Sequence, residues 1–76
     1  MRPLKHPLEG GRIAVVTEID PKSSACFIGT VYIGGNIVQL EWDEKGNVIN
    51  EQQSFNLITH NEPFNDMQSY LKCLIN

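Results

Sequence analysis

No stretch of this sequence stays apolar for long. The longest runs, such as Ile13-Ala14-Val15-Val16, fall far short of the ~20 residues a membrane-spanning helix needs, so no membrane role is expected. Cysteine is scarce, with only Cys26 and Cys73. Neither has a second Cys or a His at ligand spacing, so no zinc site is expected and no other metal or cofactor is implied. Basic charge is short too: 6 Lys and Arg stand against 9 Asp and Glu, a net charge of −3. Phosphate backbones are bound by concentrated positive charge, so this balance weighs against nucleic acid as the main partner. Nucleophile motifs and a phosphate loop are missing, as are internal repeats, and the chain is not expected to be an enzyme.

The opening MRPLKHPLEG holds no apolar segment of the secretory kind. A reducing cytoplasm with two free thiols is therefore expected, and a Cys26–Cys73 bridge is the less favoured alternative. What the chain does have is 76 residues, enough for one domain, with 41% apolar content, enough for a core. A domain this small buries only about 60% of the surface its unfolded chain exposes. It commonly gains support from a bridge, a metal or a second copy of itself. With the first two unsupported, a homo-oligomer stays open.

Residues 1–10 carry Pro3 and Pro7, which disfavour regular structure, and read as an extended N-terminal arm. Residues 11–19 (GRIAVVTEI) read as a first strand with Ile13, Val15, Thr17 and Ile19 facing inward. Asp20 to Ser24 is a turn. Residues 25–33 (ACFIGTVYI) form a strand with Phe27, Val31 and Ile33 on the core side, and Cys26, Ile28 and Tyr32 opposite. Gly29 in its middle signals a bulge or sharp bend. Gly34-Gly35 suits a primed hairpin turn, which needs positive φ. Residues 36–43 alternate cleanly, with Val38, Leu40 and Trp42 inward and Ile37, Gln39, Glu41 and Asp43 outward. Two further strands are expected near 47–51 and 54–59. Beyond them the period changes to helical: Phe64, Met67, Tyr70, Leu71 and Leu74 predict an amphipathic helix over 62–74, with Asn61 as N-cap.

This order of strands, tight turns and one terminal helix predicts a mostly β fold, a five-stranded small barrel over 11–59 with the helix of 60–76 packed on it as part of one domain. The segments GRIAVV, FIGTVYIGGN, IVQLEWDEKGN and FNLI, from Gly11 to Ile58, resemble SH3-like small barrels of the Tudor and KOW type. That resemblance covers two thirds of the chain and implies a binding module. The sequence departs from both types. KOW elements present a more basic surface, and a methyl-lysine cage needs about four aromatics, where only Phe27, Tyr32 and Trp42 are expected near one another in the barrel, with Phe55 apart. No ligand-binding residue is carried over.

The candidate binding residues are Ile28, Tyr32, Ile37, Glu41, Trp42 and Asp43. Ile28, Tyr32 and Ile37 lie on the face opposite the expected core and need a cover: the arm, the helix, a partner or a second copy. Glu41 and Asp43, with Glu44, rim that face and could recognise a basic partner, although solvated strand-end charge is the plainer reading. Trp42 could anchor an interface, but its alternation places it in the core. The two histidines, His6 and His60, could serve a Cys–His nucleophile only by meeting a thiol in space. The function expected is a protein-interaction module or an accessory or inhibitory subunit, of the kind phages and mobile elements encode as short chains. The alternative is an RNA- or DNA-binding barrel that uses Arg2, Lys5, His6 and Arg12 along phosphates.

Overall fold

A computed structural model describes residues 3–75. Four antiparallel strands form one sheet in the order β1-β2-β3-β4, and one helix follows. They are β1 (Leu4–Pro7), β2 (Ile13–Ile19), β3 (Phe27–Ile33) and β4 (Asn36–Trp42), with α1 over Glu62–Ile75. The fold is mostly β with a C-terminal helix, and no helix among the described residues is long and apolar enough to cross a membrane.

β3 and β4 match their alternation. Phe27, Val31, Leu40 and Trp42 are buried, while Tyr32 and Ile37 point away. They pair without interruption from Phe27↔Trp42 to Ile33↔Asn36. Gly34 and Gly35 both have positive φ, which closes this hairpin in the two residues between Ile33 and Asn36.

β2 departs from expectation. Its buried side chains are Ala14 and Val16, not Ile13 and Val15, and Ile13 is 61% exposed. The cause is a bulge: Val16 pairs with Gly29 but Glu18 pairs with Ile28, so Thr17 is an extra residue. The extra residue inverts the inside–outside phase, and Ile19 beyond it returns to pack against the core. The bulge that Gly29 signals is therefore on its neighbour. A Cβ on Gly29 would collide with the Val15 carbonyl oxygen, a backbone atom that cannot rotate away.

The stretch read as an arm contributes β1, paired from Leu4↔Val16 to Pro7↔Ile13. Met1 and Arg2 lie outside the described residues. Pro7 is tolerated because its nitrogen lies on the side away from β2, where a missing N–H breaks no rung. The Pro7 carbonyl on that side accepts from Ile58 N–H (3.1 Å).

Neither of the two further expected strands forms. Residues 47–58 instead make isolated bridges, Trp42↔Val48 and Leu8↔Leu57, around a short 3-10 turn, Gln53–Phe55. This segment leaves β4 through Ile49 N–H to Glu41 O (2.8 Å) and reaches the β1 side through Glu9 N–H to Asn56 O (2.9 Å). Side chains replace ladder bonds along it. The Asn50 amide donates to Gln39 O (3.2 Å) and accepts from Glu41 N–H (3.1 Å), and Asn56 Oδ1 accepts from Val48 N–H (2.7 Å). Trp42 ties the segment down: its indole Nε1–H donates to Phe55 O at 2.8 Å in a fully buried contact.

The helix begins as its sequence predicts. Asn61 Oδ1 accepts from Phe64 N–H (3.0 Å), an N-cap, and Phe64, Met67 and Leu71 form the buried stripe. Phe64 meets Phe27 edge-on, with centroids 6.1 Å apart, and so joins the helix to the sheet's inner face.

Two substitutions test this frame. Gly29→Ala costs about 3 kcal/mol or more, because backbone must move to admit the methyl group. Denaturant unfolding measures it, and a loss under 1 kcal/mol on that ~3 kcal/mol scale would disprove the close approach. Trp42→Phe leaves Phe55 O unpaired and lowers stability by about 1–3 kcal/mol. An unchanged denaturation midpoint in this variant would show that the indole hydrogen bond contributes nothing.

Candidate functional site

The outer face of the sheet brings together Ile28, Tyr32, Ile37 and Glu41 of the six candidates, and register fixes their order. Tyr32 lies directly opposite Ile37, and Ile28 directly opposite Glu41. Glu18 stands on the other side of Ile28, which gives a cross-strand row Glu18–Ile28–Glu41. Ile13, one residue before Ala14 in the register with Val31, extends the Tyr32–Ile37 row onto β2. Tyr32 is 68% and Ile37 73% exposed. Neither α1 nor the N-terminal segment covers them, because β1 lies in the plane of the sheet and α1 packs its buried stripe on the inner core.

Ile13 is the site residue that sequence reasoning missed. Strict alternation put it inside, and only the extra residue at Thr17 turns it out. Trp42 does not join the site. It is 0% exposed and serves the core, as its alternation indicates. Asp43 also stands apart, beyond the end of β4. Its Oδ1 accepts from Lys45 N–H and Asn47 N–H (2.9 Å each) and folds the turn after the strand.

A polar cleft of about 510 Å³ opens beside that turn, with Ser23, Cys26, Asp43, Glu44 and Lys45 in its wall. The buried Cys26 thiol donates to Ser23 O at 3.3 Å. Burial pushes its pKa up, and Glu44, Asp43 and Asp20 push it further the same way. The thiolate is thus disfavoured, which opposes nucleophilic use. Cys73 is an exposed free thiol. Among the described residues no group of three or more His, Cys, Asp or Glu side chains is placed to hold a metal.

Arg2 lies outside the described residues. Lys5 is exposed on β1, and Arg12 sits over the Phe55 ring at 5.6 Å. His6 is only 1% exposed and turns inward. Its Nδ1 lies 2.9 Å from Pro7 O, a contact that a neutral ring protonated on Nδ1 satisfies. Nε2 is buried with no hydrogen-bond partner among the described residues, and the ring meets Phe64 edge-on at 6.0 Å. Desolvation lowers the His6 pKa below 6.5, and the Pro7 hydrogen bond only partly opposes it.

A His held neutral by folding gives stability a sign. The unfolded chain binds a proton near the ordinary pKa of about 6.5, and the folded chain binds it only at lower pH. Stability is therefore full above about pH 6.5 and falls as pH drops from there toward the folded-state pKa. Melting temperature against pH measures this slope, and His6→Leu flattens it. An NMR titration midpoint for His6 at or above about 6.5 would contradict the burial argument.

Compared with protein families, curated proteins and solved structures, the chain shows no significant match to any of them.

Proposed function

We propose that this chain is a small protein-interaction module, an accessory or inhibitory subunit that acts by docking and not by catalysis. The observation that carries this reading is the exposed row Ile13, Tyr32 and Ile37, three large apolar side chains aligned across β2, β3 and β4. Scattered apolar residues are ordinary on a surface, but a contiguous row on an exposed sheet face is a typical binding feature. Tyrosine adds to this, since it offers wide contact area at low entropy cost together with a polar tip.

The scaffold we propose is an SH3-like small barrel. Its support is the course of residues 47–58, which bond to β4 at one end and to β1 at the other and so occupy both edges of the meander. A barrel frees its outer wall for contacts, because the helix and the crossing segment are spent on the interior.

The non-catalytic reading rests on chemistry. The pKa of the buried Cys26 thiol is pushed up by burial and by nearby carboxylates, and the acidic side chain of Asp43 is engaged in a turn. His6 turned into the core and Arg12 drawn over Phe55 disfavour RNA and DNA as partners.

The test replaces Tyr32 and Ile37 together by Ser. Both are mostly exposed, so each change stays within about 0.5 kcal/mol of the parent stability. Affinity chromatography from the native host, with quantitative mass spectrometry, compares the parent with this variant. The expected result is a small set of proteins retained by the parent and reduced at least tenfold (about 1.4 kcal/mol) by the variant. Identical retention by both chains would remove the face as the docking site. Salt-sensitive capture of labelled RNA or DNA by both chains alike would replace the reading with a nucleic-acid one.

A further inference from the structure

We infer that the docking partner is a protein segment that joins an apolar cluster to basic side chains, the apolar part seated on Ile13, Tyr32 and Ile37 and the basic part on Glu18 and Glu41. This inference rests on the docking reading and adds the partner's chemistry. The face is graded along the strands. At one end is the apolar row. Four residues along β3, at ~3.4 Å each, the row Glu18–Ile28–Glu41 crosses the sheet about 14 Å away. Its two carboxylates flank Ile28 from neighbouring strands, about 9.5 Å apart at two strand spacings. Lys5, opposite Val15 on the β1 edge, is the one cation on the paired rows of this face among the described residues. Arg12, near Ile13, is drawn over Phe55.

Charge complementarity then chooses among occupants. Phosphate of a nucleic acid or of an anionic bilayer meets two carboxylates and is repelled. A second copy set face to face about a two-fold axis along the strands puts acidic row against acidic row. A cationic amphipathic segment satisfies both ends of the gradient, with its charges steering approach and its apolar groups supplying most of the affinity.

The experiment uses the full chain, isotope-labelled, and three synthetic helical peptides. The first carries leucine and tryptophan on one turn and arginines on the same face about two turns further on. The second has glutamate and the third glutamine in place of the arginines. The expected result is that only the arginine peptide binds tightly, shifting backbone signals of Ile13, Tyr32, Ile37, Glu18 and Glu41. In the variant carrying Glu18→Gln and Glu41→Gln the affinity falls about tenfold and its salt dependence flattens. Equal binding of all three peptides on this face would overturn the basic partner and leave the docking reading standing. Shifts confined to other surfaces, or no binding by any peptide, would overturn both. Concentration-dependent shifts of the same signals without peptide would assign the face to a second copy and overturn the inference.

Discussion

The buried hydrogen bond from the Trp42 indole to Phe55 O is the constraint around which the rest is arranged. A tryptophan at the inner end of β4 fills the core, but its N–H must find an acceptor once water is excluded. The acceptor comes from the 3-10 turn thirteen residues on, so the chain after β4 has to fold back beneath the sheet. That requirement draws residues 47–58 from the β4 side to the β1 side. Phe55 and Leu57 arrive as core residues, and α1 begins where Phe64 can reach His6 and Phe27. The inner face is thereby filled from one direction, and the outer face receives no cover.

Much of this was legible in the sequence where side-chain parity runs unbroken. β3, β4, the Gly34-Gly35 turn and the Asn61-capped helix follow directly from alternation, positive-φ residues and helical spacing. β2 was misread because alternation assumes a constant phase, and one extra residue at Thr17 reverses it. Gly29 announced the irregularity, but its sequence position could not say that the bulge belongs to the facing strand. β1 was hidden by Pro7 within it and Pro3 just ahead of it. Proline disqualifies a central strand, whereas on an edge with its nitrogen outward it breaks no rung. The strands expected near 47–51 and 54–59 failed for a different reason. Asparagine side chains there accept and donate in place of backbone, a substitution that no periodicity reveals.

The site divides along the same line. Ile28, Tyr32 and Ile37 could be found because they carry apolar side chains on the wrong parity of strands that keep their phase. Ile13 could not, since its exposure depends on the bulge downstream. Including Trp42 among contact residues set its reputation as an interface anchor above its own alternation. Asp43 matched the outer parity, yet the Asx turn it nucleates takes its carboxylate away from the face.

Asn50 has a consequence beyond local folding. Its carboxamide presents one acceptor and one donor to β4 at the spacing a neighbouring peptide unit would use. To the strand it is a counterfeit neighbour that ends after one rung. The outward backbone groups of β4 near Glu41 are thus taken up within the chain, by Asn50 and by Ile49 N–H, which bonds to Glu41 O. The exposed Tyr32 and Ile37 of the outer face thus lie beside a strand edge that the chain itself occupies at Gln39 O and Glu41.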